Sequence, residues 1–242
     1  MKPNKRFSAE VDWNSVRGIY KKLSEEFHVL TDAFQVTVND DLKQKLDYLI
    51  IAIDEVDNSL DELEPTELRN SLSAEMIAFL GDNKKLFSHP QADDVLQEKL
   101  NSLKGIIGSL EVKNNFIEAT ENILKYTELK RHTKDSNELI DFVLKEGEAT
   151  AELPLSIIGK SSNKEFRVFF IQLCEIMGIV DLIFDLRSDY KKKIVSIRPN
   201  FKIYFKLLQL SFSKSLSLFR AFPKKLTLIK YCMKFAFVLM TE

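Results

Sequence analysis

The chain has 242 residues, 45% of them hydrophobic and 29% charged, which describes a folded protein and excludes a disordered one. Gly and Pro number only 7 and 6, too few for the tight turns of a sandwich or a barrel, so long helices are expected. The net charge of −1 conceals a split: Tyr190 to Thr241 contains no Asp or Glu and twelve Lys or Arg, leaving 35 of the 36 acids and 23 of the 35 bases in residues 1–189. An acidic body with a basic tail suits an anionic ligand held between them, a tail resting on an anionic surface, or tail helices paired with acidic helices of the body.

His28, His89 and His132 are scattered, and Cys174 and Cys232 lack metal-ligand spacing, so no zinc site is expected and a reduced, cytoplasmic setting is the default. The N-terminal "MKPNKRFSAEVDW" has no apolar segment of the secretory type, and no run of about 18 apolar residues predicts a transmembrane helix.

Helical periodicity then runs through the chain. Residues 12–30 form an amphipathic pattern with Val16, Ile19, Tyr20, Leu23 and Phe27 on one face. A second helix is expected over 39–63, opened by Asn39 and Asp40 and ended before Pro65; a third runs from Pro65 to Gly81. Similar patterns follow over 90–110 and 113–132. Residues 136–159 read as a helix interrupted at Gly147 and Pro154. Residues 163–197 are long and strongly apolar, and two further helices are expected over 199–221 and 223–240. No strand alternation, repeat or linker is evident. The expected fold is all-α: one bundle of about eight to ten helices spanning 1–242.

Two of these helices carry rows of aspartate. In "YLIIAIDEVDNSLDEL", Asp47, Asp54, Asn58 and Asp61 share a narrow stripe with Asp57 at its edge, and Ile50 and Ile51 lie on the same side. In "DLIFDLRSDY", Asp181, Asp185 and Asp189 recur at i, i+4 and i+8 in very apolar surroundings. Buried carboxylates cost several kcal/mol each, roughly, and like charges one turn apart repel, so such rows call for a compensating cation. Several oxygen ligands without His or Cys suit Mg²⁺. The plain alternatives are a solvated charged face on the first helix and, on the second, a salt-bridge ladder with the basic tail.

On these residues the chain resembles a class I isoprenoid (terpenoid) synthase, with a slight lean toward the squalene/phytoene synthase branch. "DEVDNSLDE" is similar to that family's first aspartate-rich motif, with Glu55 where a second Asp would stand. "DLIFDLRSDY" is similar to its second metal motif. Gly147 falls where the family often breaks a helix beside the pocket. The resemblance implies a bundle around a central apolar cavity and about three Mg²⁺ ions. The ions would be held by Asp54 with Asn58 or Asp57 with Asp61, and by Asp181, Asp185 and Asp189. It also implies ionisation of an allylic prenyl diphosphate, by a prenyltransferase or a terpene synthase. Lys191, Lys192 and Lys193, with Arg131 and Lys134 upstream, would then contact the diphosphate. Phe166, Phe169, Phe170 and Phe184 would line the pocket or simply pack the core.

The basic C-terminal region is expected to make peripheral membrane contact, or to pack as the last helix of the bundle. A homodimer is one option for the assembly. Nucleic acid is not an expected partner, because no recognition motif accompanies the basic tail. The competing reading is a non-catalytic helical scaffold, or a degenerate synthase, whose acid rows pair with basic residues.

Overall fold

The computed structural model describes residues 18–61, 63, 66–82, 85–108 and 113–223, and these are all-α. The helices are α1 (Gly18–Ala33), α2 (Asp40–Asp61), α3 (Thr66–Gly81), α4 (Asp94–Gly108), α5 (Lys113–His132), α6 (Ser136–Ile158), α7 (Lys164–Lys191) and α8 (Phe201–Ala221). A short 3-10 turn, Gly159–Ser161, follows α6. The helix expected over 223–240 lies beyond Pro223, outside the described residues.

The starts of these helices are written locally. Asn39 accepts from the N–H of Leu42 at 2.9 Å, Asp93 from Leu96 at 2.8 Å, and Asn163 from Phe166 at 2.8 Å. Asn200 accepts from Ile203 at 3.1 Å. Asp135 accepts from Asn137 and Glu138, and those two N–H groups hold its carboxyl below the usual carboxylate range. Each side chain satisfies an amide that the first turn leaves without a helical partner.

The helices fall into two compact units. The first comprises α1 to α4, the start of α5 and residues 154–162. Within it α2 packs against α1, α3 and α4. Leu46, Tyr48, Leu49, Ile51, Ala52 and Asp54 are all buried, and together they point around most of the α2 circumference. Asp57 and Asn58, one turn on, are exposed. The helix is thus encased over residues 46–54, with Asp40, Asp41, Lys43 and Gln44 exposed before that stretch and Asp57 and Asn58 after it.

The second unit holds residues 118–153 and α7 and α8. One cluster joins Leu139 and Val143 of α6, Ile179, Leu182 and Leu186 of α7, Val195 and Ile197 of the connecting loop, and Ile203 and Leu207 of α8. α6 does not break at Gly147 or Pro154; it continues to Ile158, which corrects the expected interruption. Gly147 is a packing residue instead. A Cβ there would lie 2.8 Å from the Cα of Glu175 and 2.9 Å from the carbonyl oxygen of Cys174. One turn earlier, Val143 lies against Gly178, where an added Cβ would be 3.2 Å from its side chain. The two helices therefore run antiparallel at close approach, each contributing a glycine. A glycine inside a helix costs about 1 kcal/mol relative to alanine, and the close packing offsets that cost.

Candidate functional site

The α7 aspartates sit on a helix whose buried face turns along its length. Phe166, Phe169, Phe170, Leu173 and Ile176 are buried in the first half, and Ile179, Leu182 and Leu186 in the second. At 100° per residue the centres of the two sets differ by roughly 140°. The shift arises where Leu173, Ile176, Ile179 and Leu182 follow one another at spacing three, which falls roughly 60° short of a full turn at each step. Phe166 and Phe184 show the consequence. They are five whole turns apart and share one sector, yet Phe166 is fully buried and Phe184 is 68% exposed.

Asp181 and Asp185 lie beside Phe184 on this open sector and are exposed, while Asp189 is half-buried. The apolar letters around the row belong to a face that has turned away, so the carboxylates are not enclosed as the sequence suggests.

Three neighbours from other helices complete the site. Lys130 of α5 pairs with Glu146 of α6, and Thr127 donates to the other oxygen of the same carboxylate at 2.6 Å. The Asp181 carboxyl is pushed up to about 6. The first cause is partial loss of water where protein crowds the group; Asp185 comes next, Lys130 opposes, and Asp189 and Glu146 add smaller upward pushes. Negative charge thus exceeds positive charge around Asp181. Sequence spacing gave no signal for Thr127, Lys130 and Glu146, because they come from two other helices.

The first motif is arranged differently. Asp54 is buried at 5% exposure and accepts a long hydrogen bond from Asn58 Nδ2 at 3.5 Å. Asp57 and Asn58 are exposed, Glu55 is half-buried, and the side chain of Asp61 lies outside the described residues. Asp47, two turns before Asp54, is engaged with α1: Ser24 Oγ donates to it, and His28 Nε2 lies 3.2 Å away. α2 belongs to the first unit and α7 to the second.

The basic candidates have local structural roles. The Lys192 N–H donates to the Ser188 carbonyl at 2.9 Å and caps α7. Lys193 follows with a φ of 62°, its N–H reaching the Tyr190 carbonyl at 3.2 Å, and the Ile194 N–H reaches that of Asp189 at 2.8 Å. This is a Schellman cap with lysine where glycine is usual, and Ile194 packs on the core cluster beside it. Lys191, Lys192 and Lys193 are exposed at the negative end of the helix dipole. The Arg131 carbonyl accepts from Ser196 Oγ at 2.8 Å, which ties the 192–200 loop to α5. Lys134 is exposed between α5 and α6.

The oxygen donors of the α7 row suit Mg²⁺ in chemistry. Among the described residues, no three His, Cys, Asp or Glu side chains gather closely enough to hold a metal ion. Nor is any described helix long and apolar enough to cross a membrane.

The fold and the site define an all-α protein with an open acidic face on α7. No family model matches the chain, and comparison with curated proteins and with solved structures gives no match either.

Proposed function

We propose that the chain is a helical interaction protein that works through its charged and apolar faces, the scaffold alternative of the sequence reading. The observation that carries this is the open α7 face, where Asp181 and Asp185 are exposed and sit in a charge network with Lys130 and Glu146. Two further findings support it. Gly147 is accounted for by close helix packing, and basic residues of α8 engage the body: Lys214 Nζ meets Glu175 at 2.7 Å and Lys206 Nζ meets Asn137 at 2.7 Å. To test the reading, purified protein is incubated with Mg²⁺ and prenyl diphosphates of ten to twenty carbons. The expected result is no diphosphate release above background. Release that Asp185→Asn abolishes in folded protein would overturn it.

A second reading keeps the isoprenoid-synthase resemblance. The observation favouring it is the crowding that raises Asp181, which a divalent cation would relieve. Under this reading Asp181, Asp185 and Asp189 would hold Mg²⁺, which neutralises a departing diphosphate when bound. Arg131, Lys134, Lys191 and Lys192 would supply donors to the same diphosphate.

A further inference from the structure

α8 is apolar on two opposite faces. Ile203, Leu207 and Leu218 are buried on the inner one. Phe201, Phe205, Leu208, Phe212 and Leu216 are all exposed, Phe201 by 84% and Phe212 by 74%. At 100° per residue these five fall within roughly 80° of one another, on the side opposite the buried set. Five large apolar side chains aligned over roughly 22 Å of helix form a continuous stripe. Such a contiguous apolar surface marks an interaction site on a folded protein.

The surroundings of the stripe select the partner. Lys202 and Arg220 are exposed on one flank, and Gln209, Ser213 and Ser217 lie on the same side. The segment from Tyr190 to Thr241 contains twelve Lys or Arg and no acid. A second copy docking here through the same helix would bring two acid-free basic segments together. An anionic surface is complementary instead. A helix with Phe and Leu on one face and basic residues at its flanks lies in the plane of a bilayer interface, with apolar side chains below the headgroups. Each basic residue near an anionic leaflet adds to the attraction.

We infer that α8 docks on anionic membrane through Phe201, Phe205, Leu208, Phe212 and Leu216, with its inner face still packed on α7. This rests on the interaction-protein reading and names its partner.

The test is co-sedimentation of the full chain with vesicles of phosphatidylserine and phosphatidylcholine, and with vesicles of phosphatidylcholine alone. Binding is expected to the anionic vesicles, to weaken with added salt, and to be slight on the neutral ones. The double variant Phe205→Ser/Phe212→Ser is expected to bind about tenfold or more weakly, since two Phe side chains leave the apolar boundary. Both sites are exposed, so its circular dichroism and unfolding midpoint should match the parent closely. Absence of binding to anionic vesicles overturns the inference. So does equal binding by the variant, which would assign the contact to another part of the chain. A dimer in sedimentation equilibrium that the variant dissociates, without vesicle binding, overturns it in favour of a second copy. Each of these failures leaves the interaction reading standing. Diphosphate release sensitive to Asp185→Asn overturns that reading whatever the vesicles show.

Discussion

α2 and α7 both carry aspartates in apolar helical sequence, and Asp54 of α2 ends in surroundings opposite to those of Asp181 and Asp185 of α7. α2 is surrounded by α1, α3 and α4, so Asp54 is buried near the end of the encased stretch and is bonded to Asn58. α7 is covered on one side only in its second half, and the covered side has turned away from Asp181 and Asp185. Composition around an acid therefore does not decide its burial. The position of neighbouring helices does, and a run of apolar residues at spacing three is enough to rotate the covered face.

The comparison can be broken most forcefully at the α6–α7 crossing. Gly147→Ala forces a Cβ onto the Glu175 backbone and is expected to cost about 2–3 kcal/mol, overriding its gain in helix propensity. The unfolding midpoint should fall by about 5–10 °C. Gly105→Ala in α4 is the control: a Cβ there meets nothing within 4 Å, and the change should stabilise by up to about 1 kcal/mol. Equal effects of the two would contradict the close approach.

Removing one acid from each row sharpens the contrast. Asp54→Ala takes away a buried, bonded group and should destabilise by about 1–2 kcal/mol in urea unfolding. Asp181→Asn should stabilise at neutral pH. The folded Asp181 binds its proton more tightly than an ordinary carboxyl near pH 4, so the folded state loses stability as pH rises from about 4 to about 6 and stays at the lower level above that. Screening at this exposed site limits the gain to about 1 kcal/mol, or about 2–4 °C at pH 7.5, with almost none at pH 4. A gain that does not depend on pH would contradict the charge crowding. The smallest effect is expected at the end of α7, where Lys193→Gly removes a left-handed lysine and should stabilise by about 0.5–1 kcal/mol in the same assay.

Much of the fold was legible because it is encoded locally. Asn39 announces a helix start, and the expected 113–132 helix matches α5 residue for residue. The site was less legible because it depends on which faces are covered. Gly147 looks the same in a sequence whether it breaks a helix or admits a neighbour, and only the adjacent α7 backbone distinguishes the two. The apolar stripe of Phe201, Phe205 and Phe212 in the expected 199–221 helix went unread, because its exposure depends on the buried set taking the opposite face. Thr127, Lys130 and Glu146 meet only through tertiary packing.

The most direct measurement is the unfolding midpoint of the full chain titrated with Mg²⁺, with and without inorganic diphosphate, against NaCl of equal ionic strength. If the α7 row is an open charged face, the Mg²⁺ and NaCl curves should agree to within about 1 °C, because a ligand stabilises only the state it binds. A rise of several degrees that needs Mg²⁺ and disappears in Asp185→Asn would contradict the account and make the row a metal site.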